Sequence, residues 1–178
     1  MNLTTLTSLK EIKKALDLME VDKASGLDGF TTRFFKSCWT TIKDDLLKMV
    51  RKSQRCIKIG GGTNSTLLAL IPKEKDACNF SRFHPISLCN TGYKIITKVI
   101  ASRLKKILPA IIPMNQGGFM KGRKILDNLV LVQEAIHSSF QRKEKGMVIK
   151  LDLDNAFDRA RHDFLFIVME KFGFSKNF

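Results

Sequence analysis

Histidine and cysteine are scarce in this chain, and the few present are scattered. Its three histidines and four cysteines (Cys38, Cys56, Cys78, Cys89) form no C-x-x-C pair and no finger-like His/Cys spacing, which argues against structural zinc. The thiols are expected to be reduced and buried, as in an intracellular protein. No apolar run approaches the ~18 residues of a membrane span, and Met1-Asn2-Leu3 opens no signal peptide; nucleus or cytoplasm is the expected compartment. Acid is short as well: 17 Asp and Glu stand against 31 Lys and Arg, a net charge of +14. The shortage is local, because residues 77–126 hold nine Lys and Arg and no Asp or Glu. Such a block points to a polyanionic partner, nucleic acid before membrane. The competing reading is that these cations only solubilise helix faces, and their concentration in one block weighs against it.

The rest of the composition is globular, with 44% hydrophobic residues in 178, enough for one sizeable core. Ser8-Leu9-Lys10-Glu11 is a capping box, followed by Ile12, Ala15, Leu16 and Met19 at helical spacing, so a helix is expected to about Val21. Ala24 to Gly29, with two glycines, reads as a flexible loop. A second helical stretch carries Phe30, Phe34, Phe35, Cys38, Trp39, Ile42, Leu46 and Met49 to about Cys56, with a break expected near Thr40-Thr41. Gly60-Gly61-Gly62 reads as a turn. Thr66–Ile71 reads as a buried strand stopped by Pro72, and Ile86–Leu88 as a short strand. Asn90 is expected to cap a helix over 91–108, with Lys94, Lys98, Arg103 and Lys105 on its polar face and Pro109 and Pro113 beyond it. A glycine loop, 116–123, leads to a helix over 124–142 with Leu129, Val132, Ile136 and Phe140 inside. A strand over 147–152 and a helix from Arg161–Phe164 to Gly173 complete an α+β pattern.

Chemistry concentrates in Lys150 to Asp158, K-L-D-L-D-N-A-F-D, where a β-rich run ends on Asp152, Asp154 and Asp158. Carboxylates at a strand end can hold a hard cation such as Mg²⁺. The alternative is a strand-end Asp that caps the next turn.

Several blocks together resemble the reverse transcriptases of LINE-type non-LTR retrotransposons, plant members above all. They are Leu70-Ile71-Pro72-Lys73, Phe83-His84-Pro85-Ile86-Ser87-Leu88-Cys89-Asn90, Tyr93-Lys94-Ile95-Ile96 and Gln116-x-Gly118-Phe119-x-x-Gly122-Arg123. Asp152-Leu153-x-x-Ala156-Phe157-Asp158 falls where that family has its first catalytic block, and Lys23 to Phe30 is similar to its N-terminal extension motif. The resemblance implies the fingers and the beginning of the palm of a right-hand polymerase. Residues 1–62 would be a helical N-terminal extension, and 63–178 fingers and partial palm. It assigns Asp152 and the Leu153 carbonyl to Mg²⁺, which activates a primer hydroxyl and neutralises pyrophosphate. Phe157 would be the steric gate against a ribose 2′-hydroxyl, the alternative being an ordinary core Phe. Lys73, with Arg82 or His84, would grip the incoming dNTP triphosphate. Lys121, Arg123, Lys94 and Lys98 would contact the RNA template and DNA primer.

Departures from the pattern are specific. The family's Asp-Phe-Arg-Pro is Arg82-Phe83-His84-Pro85 here, so the triphosphate-gripping Arg is lost or displaced to Arg82, and neutral imidazole is a poor substitute for guanidinium. No Ala-Asp-Asp occurs anywhere; the adjacent Asp pair is Asp44-Asp45. The expectation is therefore a domain fragment that is inactive alone and binds Mg²⁺ weakly or not at all. The reading from a different class is a non-catalytic basic nucleic-acid-binding module. A palm strand without partners would expose an edge and an apolar face.

Overall fold

The computed structural model describes residues 3–120, 122–143, 145–151 and 159–175. They fall into two compact units, one spanning Thr4–Leu104 and one beginning at Lys105. The expected division at 62/63 lies inside the first unit.

The first unit opens with α1 (Leu9–Asp17), and its capping box forms as the sequence implies: Ser8 Oγ accepts from the Glu11 N–H at 3.3 Å and Glu11 Oε2 accepts from the Ser8 N–H at 3.0 Å. The helix stops short of the expected Val21, because Lys36 Nζ donates to the Asp17 and Met19 carbonyls at 3.3 and 2.7 Å, satisfying helix-end acceptors that would otherwise be orphaned. The second helical stretch divides at Cys38, two residues before the expected break, into α2 (Thr32–Ser37) and α3 (Trp39–Cys56). Gly61–Asn64 forms one helical turn, α4, where a plain turn was expected.

Strands β1 (Thr66–Pro72) and β2 (Phe83–Cys89) pair antiparallel, with Thr66 opposite Cys89 and Pro72 opposite Phe83. β2 is thus longer than Ile86–Leu88. The Lys73 N–H donates to the Arg82 carbonyl at 2.8 Å, which fixes the alternation of bonded and non-bonded pairs. Pro85, opposite Leu70, falls at a non-bonded pair and costs the ladder no donor. The expectation of a buried strand fails. Leu67, Leu68, Leu70, Ile71 and Ile86 are all exposed, because among the described residues the sheet has two strands.

Helix α5 (Thr91–Leu104) completes the unit. The core is Ile12, Ala15 and Leu16 from α1, Leu46 and Val50 from α3, and Ile95, Ile96 and Val99 from α5, with Phe35, Trp39 and Ile42 packed against it. Burying each of the Ile, Leu and Val side chains contributes about 1.5–3 kcal/mol. Phe30 and Phe34 pack on each other at 4.7 Å between ring centres but stay partly exposed. The thiols also depart from expectation: Cys56 and Cys78 are exposed, Cys38 and Cys89 half-buried, all free.

Arg103 is the main correction to the helix faces. Expected on the polar face of α5, it is buried, 7% exposed. Its Nε and Nη2 donate to Glu11 Oε1 and Oε2 at 2.9 and 3.1 Å, and its Nη1 to the Thr5 carbonyl at 2.6 Å. Arg51 Nε donates to the Thr7 carbonyl at 2.9 Å and Gln54 Oε1 accepts from the Thr7 N–H at 3.0 Å. Residues 5–8 are thereby clamped onto all three core helices. The Arg103 hydrogen bond holds the Glu11 carboxyl below its ordinary value, against the opposing effect of its partial burial.

The second unit contains α6 (Leu108–Ile111), α7 (Ile125–Gln141) and α8 (His162–Lys171). Pro109 stands in the first turn of α6, where its missing N–H is harmless, and α5 has already ended at Leu104. The stripe of α7 expected inside is open: Leu129, Val132, Ile136 and Phe140 are exposed. Residues 147–151 carry no regular structure, since a strand needs a ladder partner and none is present among the described residues. Asp152, the expected last residue of that strand, lies outside them.

Candidate nucleotide and nucleic-acid interface

The β1–β2 hairpin brings together three of the expected nucleotide-binding residues. Side chains directly opposite each other in an antiparallel pair share a face, and so do residues two apart. Ile71 faces His84, and the ladder continues one bond further to Lys73 and Arg82. Lys73, Arg82 and His84 therefore occupy one face of the hairpin at its tip. All three are exposed, as groups that bind phosphate from solution must be. Lys73 Nζ donates to the Ser81 carbonyl at 2.8 Å, which orders the turn. Arg82 Nε pairs with Glu74 Oε1 at 3.2 Å, a partner that sequence reasoning passed over. The tip also carries Lys75, and a 3₁₀ turn at Phe80–Arg82 re-enters β2.

The root of the hairpin is held by residues that the sequence signalled only in part. Asn90, 2% exposed, directs its side chain to two loops: Oδ1 accepts from the Asp28 N–H at 3.2 Å and Nδ2 donates to the Gly62 carbonyl at 2.8 Å. Thr91 Oγ1 donates to the Phe30 carbonyl at 2.7 Å. Gly26 is pressed against Asn90 so closely that a Cβ there would lie 2.2 Å from Oδ1 and 2.4 Å from the backbone nitrogen. The loop expected to be flexible is therefore docked, and only glycine fits at its contact point.

Lys94 and Lys98 sit together on α5 and line an open cleft of about 560 Å³ with Lys23, Leu18 and Met19. Lys94 is committed in part, since Nζ donates to the Ala24 carbonyl at 2.9 Å. In the second unit, Arg123 turns its guanidinium onto backbone: Nη1 donates to the Pro113 and Gln116 carbonyls, the latter at 2.9 Å, and Nη2 to the Ile112 carbonyl at 2.9 Å. These bonds fold the 112–123 loop and leave the side chain half-buried. Gly122, with φ +82°, supplies the left-handed turn beside it. Lys121, Asp152, Leu153, Asp154, Phe157 and Asp158 lie outside the described residues. Among the described residues no group of three His, Cys, Asp or Glu could hold a metal ion, and no helix is long and apolar enough to cross a membrane.

Comparison with known proteins places the chain in one family. Residues 71–178 match the family described as reverse transcriptase (RNA-dependent DNA polymerase). The chain is 32% identical over 176 residues to the transposon TX1 uncharacterized 149 kDa protein of Xenopus laevis, covering 99% of this chain and 14% of that protein. It is 26% identical over 165 residues to a putative 115 kDa protein of the type-1 retrotransposable element R1DM of Drosophila melanogaster, covering 85% and 16%. A probable RNA-directed DNA polymerase from transposon BS of the same fly is 32% identical over 91 residues, covering 50% and 10%. The chain thus spans about a sixth or less of the length of these relatives. With the family matched over residues 71–178 and these relatives all proteins of transposable elements, the chain belongs to the reverse transcriptase (RNA-dependent DNA polymerase) family, as the domain of a LINE-type non-LTR element.

Proposed function

We propose that this chain supplies the fingers and the beginning of the palm of an RNA-directed DNA polymerase, and that the hairpin tip grips the triphosphate of the incoming dNTP. The observation that carries the reading is the convergence of Lys73, Arg82 and His84 on one exposed hairpin face. A guanidinium fork and an ammonium point charge suit phosphate oxygens. Arg82 takes the part of the guanidinium that the family has at the position of His84, one bonded pair further from the hairpin root. Lys98 and Lys121 are assigned to the template or primer backbone. Lys94 and Arg123 serve the same surface partly by shaping it, through their bonds to the Ala24, Ile112 and Gln116 carbonyls.

Asp152 and the Leu153 carbonyl are assigned to Mg²⁺, with Phe157 beneath the sugar. An all-oxygen donor set of this kind fits a hard divalent cation, which when bound would activate the primer hydroxyl and neutralise pyrophosphate. What the described residues themselves do is bind and orient: the tip holds phosphate, and the Asn90 knot fixes where the tip stands.

The test is salt-titrated binding of the 178-residue chain to a DNA primer annealed to an RNA template. Several phosphate contacts give a slope of log K against log salt of about −0.7 to −0.9 per contact. A flat dependence would contradict the nucleic-acid reading. Loss of dNTP binding in Lys73→Ala and Arg82→Ala would support the tip assignment, and unchanged binding would refute it.

A further inference from the structure

We infer that Glu74 is a built-in competitor for the phosphate site, a carboxylate that occupies the Arg82 guanidinium until a phosphate displaces it. The inference rests on the assignment of the hairpin tip to triphosphate. Glu74 Oε1 lies 3.2 Å from Arg82 Nε, and the two side chains are 54% and 53% exposed. The pair sits at the solvent end of the hairpin, where either partner can be exchanged without unfolding anything. It is also not needed to close the turn. That is done by the Lys73 N–H on the Arg82 carbonyl and Lys73 Nζ on the Ser81 carbonyl, both at 2.8 Å.

A carboxylate and a phosphate ask the same thing of a guanidinium: in-plane N–H groups that donate to their oxygen lone pairs. Glu74 therefore mimics the ligand at the atom the ligand needs. An exposed pair of this kind is weak, so it lowers affinity without abolishing it. The local acid is confined to this turn: Glu74 and Asp76 lie just before the acid-free block 77–126. With φ +64°, Asp76 is part of the sharp turn itself, which leaves Glu74 as the acid paired with a cation of the site. The consequence is selectivity by charge density. A single phosphate competes poorly with the internal carboxylate, whereas a polyphosphate reaches Lys73 and Arg82 together and displaces it.

Isothermal titration of inorganic tripolyphosphate into the 178-residue chain tests this, with Glu74→Gln, Arg82→Gln and the double variant. Glu74→Gln is expected to tighten binding about two- to five-fold, the range an exposed ion pair supports. The double variant is expected to bind no more tightly than Arg82→Gln alone, because the competitor acts through Arg82. Equal tightening by Glu74→Gln in both backgrounds would reduce Glu74 to a general negative charge and overturn the inference. So would unchanged affinity in Glu74→Gln while Arg82→Gln weakens binding, and that result leaves the phosphate assignment standing. If Arg82→Gln binds as tightly as the wild type, the phosphate assignment itself falls and Glu74 has nothing to compete for.

Discussion

Gly26→Ala places one methyl group where the structure has no room. The new Cβ would lie 2.2 Å from Asn90 Oδ1, 2.4 Å from the Asn90 nitrogen and 2.5 Å from its Cα. Two of those three atoms are backbone at the start of α5, so the clash cannot be relieved by a rotamer change. The 24–30 loop has to lift. Lifting it separates the Asp28 N–H from Asn90 Oδ1, the Phe30 carbonyl from Thr91 Oγ1 and the Ala24 carbonyl from Lys94 Nζ. Each such bond contributes about 0.5–1.5 kcal/mol, and Asn90, nearly buried, is left with an unsatisfied acceptor. The Lys94 bond is solvent-exposed and contributes at the low end. The expected cost is about 2–4 kcal/mol, a fall in Tm of about 5–15 °C for a chain of this size. Urea unfolding followed by the fluorescence of Trp39 reads it, since that single Trp packs against the core of the same unit. A second readout is the hydrogen exchange of the hairpin, whose root Asn90 also holds through the Gly62 carbonyl. A Gly26→Ala variant within 0.5 kcal/mol of wild type (about the size of a neutral surface change) would refute the docked loop.

Four further outcomes follow from other parts of the molecule. Leu16→Ala, at a fully buried core position, is expected to lose about 2–5 kcal/mol in urea unfolding. Because the folded state depresses the Glu11 carboxyl below its ordinary value of 4.5, the Glu11–Arg103 pair stabilises fully above that pH, and its contribution is lost as pH falls through the lower folded value. Glu11→Gln should therefore flatten the acid side of the stability profile below pH 4.5, and an unchanged profile would remove Glu11 from that role. His84→Arg adds a guanidinium to the face that holds Lys73 and Arg82, and should tighten tripolyphosphate binding about three- to ten-fold. The 178-residue polypeptide is expected to give no Mg²⁺-dependent primer extension on an RNA template; robust extension that Asp152→Ala abolishes would contradict this.

What the sequence made legible was local. Ser8 and Glu11 announce a capping box three residues apart, and the Ile12, Ala15 and Leu16 spacing announces the buried face of α1; both are present. The tip residues Lys73, Arg82 and His84 were legible through their motifs, although their sharing of one face depends on a register that only the paired strands set. What was hidden is long-range. Arg103 finds Glu11 ninety-two positions away, and helical periodicity alone placed it in water. Gly26 looked like slack in a loop, because nothing local reveals that Asn90 stands against it. The apolar run at 66–71 looked like a buried strand, yet an apolar sequence states what could be covered and not what covers it. Glu74 escaped notice because a single acid beside two lysines reads as a solvated turn until its partner across the hairpin is seen.

Residue-resolved NMR during titration with a dNTP shows whether the hairpin tip receives the triphosphate. The largest amide shifts are expected at Lys73, Ser81, Arg82 and His84, with the Arg82 Nε–H resonance moving as Glu74 is displaced. Shifts that spare these residues and cluster elsewhere, or binding with no shifts in the hairpin at all, would contradict it.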